Sequence, residues 1–186
     1  MDQGHDFVYH DFYKFKESGK EYLNIIKSRS LGENPYKNLL INGNEIVCSS
    51  VVMRSSIIRE IGFFDEDPNC IAAEDYDYWL RVAKTSKKFM KIRGVWGKYR
   101  EHKKNLSSLE KNLKYTQYLY NKYLIDIKKL SKVEPKWILK TFIVTNYYKK
   151  QYSSSIFYLI KYISNYPLNS LKYFISIISL KLKLCE

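Results

Sequence analysis

The residue pattern of this chain changes near position 105, and this change constrains its fold more than any other feature. Before it, short β-branched or aromatic segments alternate with helical and glycine-containing ones, the order of elements in an α/β protein. After Asn105 the apolar residues recur at helical spacing. We therefore predict a partial α/β domain with a mixed sheet over residues 1–106 and an all-α helical region over residues 107–186.

Four apolar segments of the first region predict strands. Residues 6–13 alternate and are rich in aromatic side chains, and residues 45–53 are β-branched and mostly apolar, as in a strand buried on both faces. Residues 88–92 and 95–99 predict two further short strands. Residues 14–38 contain turn-forming glycine, asparagine and proline, which predict a hairpin return and a loop with a short helix.

Helical periodicity predicts four helices in the second region, with Pro135 and Pro167 suited to the starts of two of them. The helices cover residues 106–130, 135–149, 153–164 and 168–184. The last is amphipathic, with apolar side chains on one face and lysine and serine on the other. The apolar stretches are far shorter than the roughly 18 residues of a membrane span, so any membrane contact is expected to be peripheral.

Nearly all of the excess positive charge lies in the second region. Residues 1–102 carry 16 lysines and arginines against 15 acidic residues, whereas residues 103–186 carry 16 lysines, no arginine and four acidic residues. Lysine without arginine favours diffuse attraction to an anionic surface over bidentate contact with phosphates or bases. Three alternatives stay open: peripheral contact with an anionic membrane surface, a solvated helical bundle, and nucleic-acid binding, which the lack of arginine disfavours.

The cysteines and the first residues favour a cytoplasmic location. Cys48, Cys70 and Cys185 are odd in number and widely spaced, which fits neither a disulfide framework nor a metal site. The first 11 residues are polar and acidic, unlike a signal peptide. We expect a cytoplasmic protein, with peripheral contact at the inner face of the cell membrane as a further hypothesis.

The run Glu-Asp-Tyr-Asp-Tyr-Trp-Leu-Arg at residues 74–81 places three carboxylates at the start of a helix predicted over residues 73–85. Acidic side chains are favoured there by the positive end of the helix dipole. Asp77 and Arg81 are one turn apart and able to pair. Asp75 has two interpretations that do not exclude each other: a helix cap, whose hydrogen bonds would lower its pKa, and a base at the mouth of the helix.

Four motifs follow one another in the first region. They are Ser-Ser-Val-Val-Met-Arg at 49–54, Ile-Gly-Phe-Phe-Asp-Glu at 61–66, the acidic run at 74–81, and Tyr-Arg-Glu-His at 99–102. In order and spacing they resemble the acceptor-binding half of family-2 inverting glycosyltransferases of the GT-A fold. The resemblance covers about residues 6–108 and does not extend to the basic helical region.

The resemblance implies transfer of a sugar from a nucleotide-sugar donor to a glycan acceptor, in polysaccharide or lipid-linked glycan synthesis. Asp75 matches the catalytic base, since the attacking hydroxyl must lose its proton. Glu74 matches the partner that contacts the acceptor, and Ser49, Ser50 and Trp79 are expected to line the acceptor cleft.

The same resemblance places His102 and Arg100 near the donor diphosphate. A divalent cation, Mg²⁺ or Mn²⁺, is expected to help stabilise that leaving group in the complete enzyme. Asp77 and Arg81 look like framework residues, and no metal ligand is assigned with certainty.

The departures from the family pattern concern the donor side. The nucleotide-binding half and its metal-holding Asp-X-Asp are expected before residue 1, either lost or supplied by a separate polypeptide. Residues 65–67 and 75–77 spell that triplet but match other family motifs. The alternatives are a non-catalytic interaction or membrane-surface module derived from such an enzyme, and a homo-oligomer.

Overall fold

The structure, a computed structural model, describes residues 4–16, 22–101 and 109–167. It is a mixed α/β arrangement in which a four-stranded sheet lies beside helices. Its strands are β1 (Phe7–Lys16), β2 (Tyr22–Ile26), β3 (Val52–Met53) and β4 (Phe89–Glu101). β1 is the central strand. One edge pairs along its length with β4, in parallel, and the other pairs antiparallel with β3 and then β2. The mixed sheet and the hairpin return after β1 are therefore confirmed.

β4 is one strand where the sequence predicts two. Its pairing with β1 shifts register twice, from Tyr9 opposite Lys91 to Phe12 opposite Gly97. Gly94, which lies inside the first shift, has a φ of 104°, a left-handed conformation that glycine adopts without strain. The residues that looked like a break between two strands are therefore extra residues bulging from a single strand.

The strand predicted over residues 45–53 is wrong for most of its length. Residues 48–50 form a 3-10 turn, and only Val52 and Met53 pair with β1. Val52 is 56% exposed, so this segment is an edge and is not buried on both faces. The apolar run has the composition of a buried strand, but β1 offers it only two pairing positions because β2 occupies the rest of that edge.

The helices lie close to their predicted positions. Their bounds are α1 (Pro35–Asn42), α2 (Ser55–Ile61), α3 (Glu74–Thr85), α4 (Leu109–Lys122), α5 (Leu124–Leu130), α6 (Lys136–Tyr148) and α7 (Tyr152–Asn165). The helix predicted over residues 106–130 is interrupted at Tyr123, and the one predicted over 168–184 lies outside the described residues. Of the helices that the structure describes, none has the length and apolar character to cross a membrane.

One apolar core joins the sheet, α3 and the basic helices. Phe7 of β1 stacks on Phe89 at 4.3 Å between ring centroids and meets Trp79 of α3 edge-on at 4.9 Å. Leu119 of α4 and Ile138 of α6 belong to the same cluster of buried residues. The composition changes at the domain boundary predicted between residues 106 and 107, but residues from both sides of it belong to the same core. A smaller cluster forms between α6 and α7.

Candidate active site

The site is built around the first turn of α3, where Glu74, Asp75 and Asp77 are all acidic. The residue before the helix, Ala73, has no side chain with which to cap it. The unpaired N–H groups of this turn therefore make it a favourable place for carboxylates. Asp75 accepts a hydrogen bond from one of these groups, the backbone N–H of Tyr76.

Asp75 nevertheless holds its proton more tightly than an ordinary aspartate. Burial and, to a smaller extent, the charge of the neighbouring Glu74 raise the pKa of its carboxyl, and the hydrogen bond from the backbone of Tyr76 opposes them only in part, so that the pKa is about 6. The lowered pKa expected of a helix cap is therefore wrong, because loss of water outweighs the backbone hydrogen bonds here. A carboxylate with a pKa near 6 is still ionised at neutral pH and is a stronger base than one near 4.

One carboxylate oxygen of Glu74 is buried without a hydrogen bond to the described residues. Its Oε2 atom is buried and, among the residues that the structure describes, finds no hydrogen-bond partner. Leaving a buried carboxylate oxygen unpaired is costly, and native structures rarely do so without a reason. A hydroxyl from a bound molecule would satisfy this atom.

The turn formed by residues 48–50 lies within electrostatic range of these two acids. Burial raises the pKa of the Cys48 thiol, and the charges of Asp75 and then Glu74 raise it further, which places this turn close to both carboxylates. Ser49 is exposed. The Ser50 hydroxyl is buried and donates to the carbonyl oxygen of Val47 at 2.7 Å, so it holds the turn together. Of the two predicted serines, only Ser49 therefore presents its side chain to solvent.

Trp79 does not line this site, which corrects its predicted contact with the acceptor. It is 3% exposed and packs edge-on against Phe7, so no ring face is open to a sugar. Its position one turn into α3, on the apolar face with Tyr76 and Leu80, directs it into the core.

The predicted pair of Asp77 and Arg81 forms part of a larger polar network. Asp77 is fully buried and accepts from Arg81 Nε at 2.9 Å, from the Tyr123 hydroxyl at 2.8 Å and from Lys122 Nζ at 2.8 Å. Arg81 also donates to the carbonyl oxygens of Ile61 and Phe63. This network ties α3 to α2 and to the junction of α4 and α5, so these residues set the position of α3.

Lys122 extends the same network to Asp65. Its Nζ lies 2.6 Å from Asp65 Oδ2, which also accepts from the Tyr118 hydroxyl. Burial alone would lower the pKa of Lys122, but its hydrogen bonds to Asp65 and Asp77 outweigh this and raise it. The hydrogen bonds from Lys122 and then Tyr118 lower the pKa of Asp65 well below its usual range.

The donor-side residues are not brought to α3 by the described contacts. Arg100 is exposed on β4, opposite Phe15 of β1. His102 lies outside the described residues. Within the described ranges, no group of three or more His, Cys, Asp or Glu side chains is arranged to hold a metal ion. The carboxylate of Asp65 is already neutralised by Lys122, so the residues present do not fit the expected cation.

A cavity of about 450 Å³ adjoins the acidic turn. It opens between the end of α1 and helices α3, α4 and α6. Tyr76, which directly follows Asp75, lines it, as does Tyr115 of α4. Burial and then the charge of Asp75 raise the pKa of Tyr115, so this cavity-lining side chain is close enough to the acid to interact with it.

Sequence reasoning missed the residues that the basic helices contribute to this site, namely Tyr115, Tyr118, Lys122 and Tyr123. Nothing in their spacing relative to Asp77 or Asp75 indicates contact, since they follow some 40 residues later in a region with no family resemblance. The tyrosine enrichment of α4 was the available signal. Comparisons of the chain with protein-family models, with curated proteins and with solved structures find no match.

Proposed function

We propose that this chain is the acceptor-side portion of a family-2 inverting glycosyltransferase of the GT-A type, with Asp75 as its catalytic base. The observation that carries the proposal is the environment of Asp75, a partly buried carboxylate with a pKa of about 6 beside Glu74. Two further observations support it. The four sequence motifs occur in the family's order, and the turn at residues 48–50, where the first motif begins, is close enough to Asp75 and Glu74 for their charges to act on Cys48.

Inverting sugar transfer requires one role each from Asp75 and Glu74. Inverting transfer is a single in-line displacement, in which the acceptor hydroxyl attacks the anomeric carbon and the nucleoside diphosphate leaves from the opposite face. Asp75 takes the hydroxyl proton, a contribution of typically about 10²–10⁴-fold. Glu74 Oε2 accepts a hydrogen bond from a second hydroxyl of the acceptor, which fixes the orientation of the attacking one.

The donor side belongs to the proposal as well. A nucleotide-binding half would hold the nucleotide-sugar and the divalent cation, Mg²⁺ or Mn²⁺, and Arg100 and His102 would help to neutralise the diphosphate. The acceptor is a polysaccharide or a lipid-linked glycan. We place this reaction in the cytoplasm, where nucleotide-sugars are available.

The test uses the chain co-expressed with the reading frame directly upstream of its first codon. Release of nucleoside diphosphate is measured over a panel of nucleotide-sugars, with and without added glycan. We expect release that Asp75→Asn reduces by about 10²-fold or more.

Asp67→Asn is the matched control, since this aspartate lies in the loop after α2 and its carboxylate accepts from the side chain and backbone of Asn69. It is expected to leave turnover within about twofold. Turnover that survives Asp75→Asn, or none with any donor on the panel, would overturn the proposal.

We propose as a second candidate function that α7 binds the surface of an anionic membrane. Ile156, Ile160 and Ile163 are exposed along one side of α7, with Tyr152 at its start. Lys149 and Lys150 precede the helix and are exposed. An apolar helical face beside lysines is the pattern of interfacial binding, in which each lysine near the surface contributes about 1 kcal/mol.

Liposome flotation tests this candidate function. The chain is expected to float with vesicles that contain phosphatidylserine and not with neutral ones. Ile156→Ser combined with Ile160→Ser should abolish flotation, whereas Ile125→Ser, which changes an equally exposed isoleucine on α5, should not. Equal flotation of all three proteins would exclude α7 as the contact.

A further inference from the structure

β4 forms one edge of the sheet, since among the described strands it pairs with β1 alone. It is 13 residues long, and alternate residues of such a strand direct their backbone N–H and C=O groups outward, away from the neighbouring strand. An open edge pairs readily with other chains, and proteins usually block it with charges, bulges or a short strand. β4 is long, and it combines charges and a bulge with an exposed tryptophan.

The charged residues in the first half of this edge are all basic. Lys87 and Lys88 directly precede β4, Arg93 lies within it, and all three side chains are exposed. None of the three forms an ion pair with any described residue. The remaining lysine, Lys91, is neutralised by Asp11, with 2.9 Å between Nζ and Oδ1. The first half of the edge therefore presents three unpaired cations to solvent.

Trp96 is held in one position although it is 70% exposed. Its indole Nε1 donates to the carbonyl oxygen of Arg93 at 2.8 Å. The ring lies against Gly94, where an added Cβ would be 2.9 Å from Nε1. The indole N–H is therefore satisfied within the strand, while most of the ring surface stays open to solvent beside the exposed Ile92. A fixed tryptophan loses little conformational entropy on binding, and tryptophan is enriched among the residues that dominate binding energy.

The charges decide which partner this edge accepts. A second copy of the chain carries the same basic residues along its own β4, so repulsion opposes the pairing of two such edges. An extended segment with acidic side chains gains attraction to the three cations in addition to the backbone hydrogen bonds of strand pairing. The edge is therefore protected against its own copies and complementary to an acidic strand.

We propose that the open edge of β4 binds an extended acidic segment of another protein, which joins the sheet beside β4. The backbone of the segment pairs with β4, its acidic side chains contact Lys88 and Arg93, and an apolar side chain packs on Trp96. Binding at this edge requires neither Asp75 nor a nucleotide-sugar. It therefore goes beyond the proposed sugar transfer, and either one can fail without the other.

The probe is a short synthetic peptide that alternates glutamate and valine, titrated into the full chain by isothermal titration calorimetry. One control peptide has lysine in place of glutamate. A second keeps the glutamates but is N-methylated along its backbone, which preserves the charge and prevents strand pairing. We expect the acidic peptide to bind at least about tenfold more tightly than either control, and more weakly as salt is added. Hydrogen–deuterium exchange should slow in Phe89–Glu101 on binding and stay unchanged in α2.

The variant is Lys88→Gln with Arg93→Gln, and the matched control is Arg59→Gln, an exposed arginine on α2. The double variant should bind the acidic peptide about tenfold more weakly, and the control should bind it as the parent does. Arg93→Gln alone, at an exposed position, should show part of the loss and guards against misfolding of the double variant.

Four results would overturn the proposal. They are no binding of the acidic peptide, equal binding of its N-methylated form, full affinity in the double variant, and protection from exchange outside β4. Single-stranded DNA that binds as tightly as the peptide would also overturn it, because the edge would then attract any polyanion.

Discussion

The buried environment of Asp75 lowers the free energy of unfolding when its carboxylate is ionised. A carboxylate that loses water without a neutralising cation is less stable ionised than it would be in the unfolded chain. The pKa of about 6 in the folded protein, against 3.8 in the unfolded reference, expresses this cost. Such a carboxylate gains basicity at the expense of folding, which is the balance expected of a catalytic residue.

The pH dependence of stability should reveal that cost. Because the folded state binds the Asp75 proton more tightly, stability falls as pH rises from about 4 to 6, and the full cost is present above 6. The Asp75→Asn variant has no carboxyl to ionise at this position and should be more stable than the parent by about 3 kcal/mol at pH 7.5, with most of the gain lost near pH 4. Urea unfolding at both pH values measures this. A gain that is equal at both would contradict the raised pKa.

Asp77 has the opposite role, since three donors satisfy it in the core. Asp77→Ala leaves Arg81 and Lys122 without their buried partner and should cost about 3 kcal/mol of unfolding free energy. Tyr123→Phe removes one of the hydrogen bonds and should cost about 1–2 kcal/mol. Urea unfolding tests both, with the exposed Glu66→Ala as a control expected to lie within about 0.5 kcal/mol of the parent.

The sequence predicted what depends on spacing along one helix. The pairing of Asp77 with Arg81 and the burial of Tyr76 and Leu80 follow from positions three and four apart. Burial of Asp75 and the contact between Asp77 and Tyr123 depend on how α4 packs against α3. The spacing of residues along the sequence does not predict that packing. The pKa of Asp75 was therefore predicted in the wrong direction.

β4 and β1 fit together because β4 has a glycine where β1 has a phenylalanine. Gly97 pairs with Phe12, and a Cβ added at Gly97 would lie 2.3 Å from Phe12 Cε1. Phe12 is buried, so its ring has little room to withdraw. Gly97, which lies inside the strand predicted over residues 95–99, is therefore a packing position.

Gly97→Ala should lower the free energy of unfolding by about 2 kcal/mol through this overlap. Phe12→Leu in the same chain should recover part of the loss, because the smaller side chain leaves space. Gly32→Ala is the control, since nothing lies within 4 Å of its added Cβ and only its φ of 67° opposes the change. Unfolding in urea compares the three, and a rescue that fails would show that the overlap is not the cause.

The least accurate predictions concern segments whose secondary structure depends on contacts with other elements. Residues 45–53 have strand composition, yet most of β1's edge is already taken by β2. The helix over residues 106–130 shows unbroken periodicity, but it stops at Tyr123, whose hydroxyl binds Asp77. In both cases tertiary contacts override a correct local preference.

In the part of the chain that the structure describes, one apolar core spans the change in composition. Leu119, Tyr123, Ile127 and Ile138 complete the core that Phe7 and Trp79 begin. The basic helices are thus part of what keeps the α/β region folded.

Truncation tests this shared core. A chain that ends at residue 107 should lose cooperative unfolding and near-ultraviolet circular dichroism, because the surface of α3 that carries Asp77 would be exposed. A chain that ends at residue 150 loses α7, which packs on α6 in the smaller cluster, and should keep both. Cooperative unfolding of the shorter chain would show that the first region folds alone.

The parallel pairing of β1 with β4 has a consequence for biosynthesis. Phe89, the partner of Phe7, is translated some 80 residues after it, about 5–15 seconds later. During that interval β1 can pair with β2 and β3, but its edge toward β4 stays unpaired. Nascent protein should therefore be most prone to aggregate, and most dependent on chaperones, before codon 101 has been read.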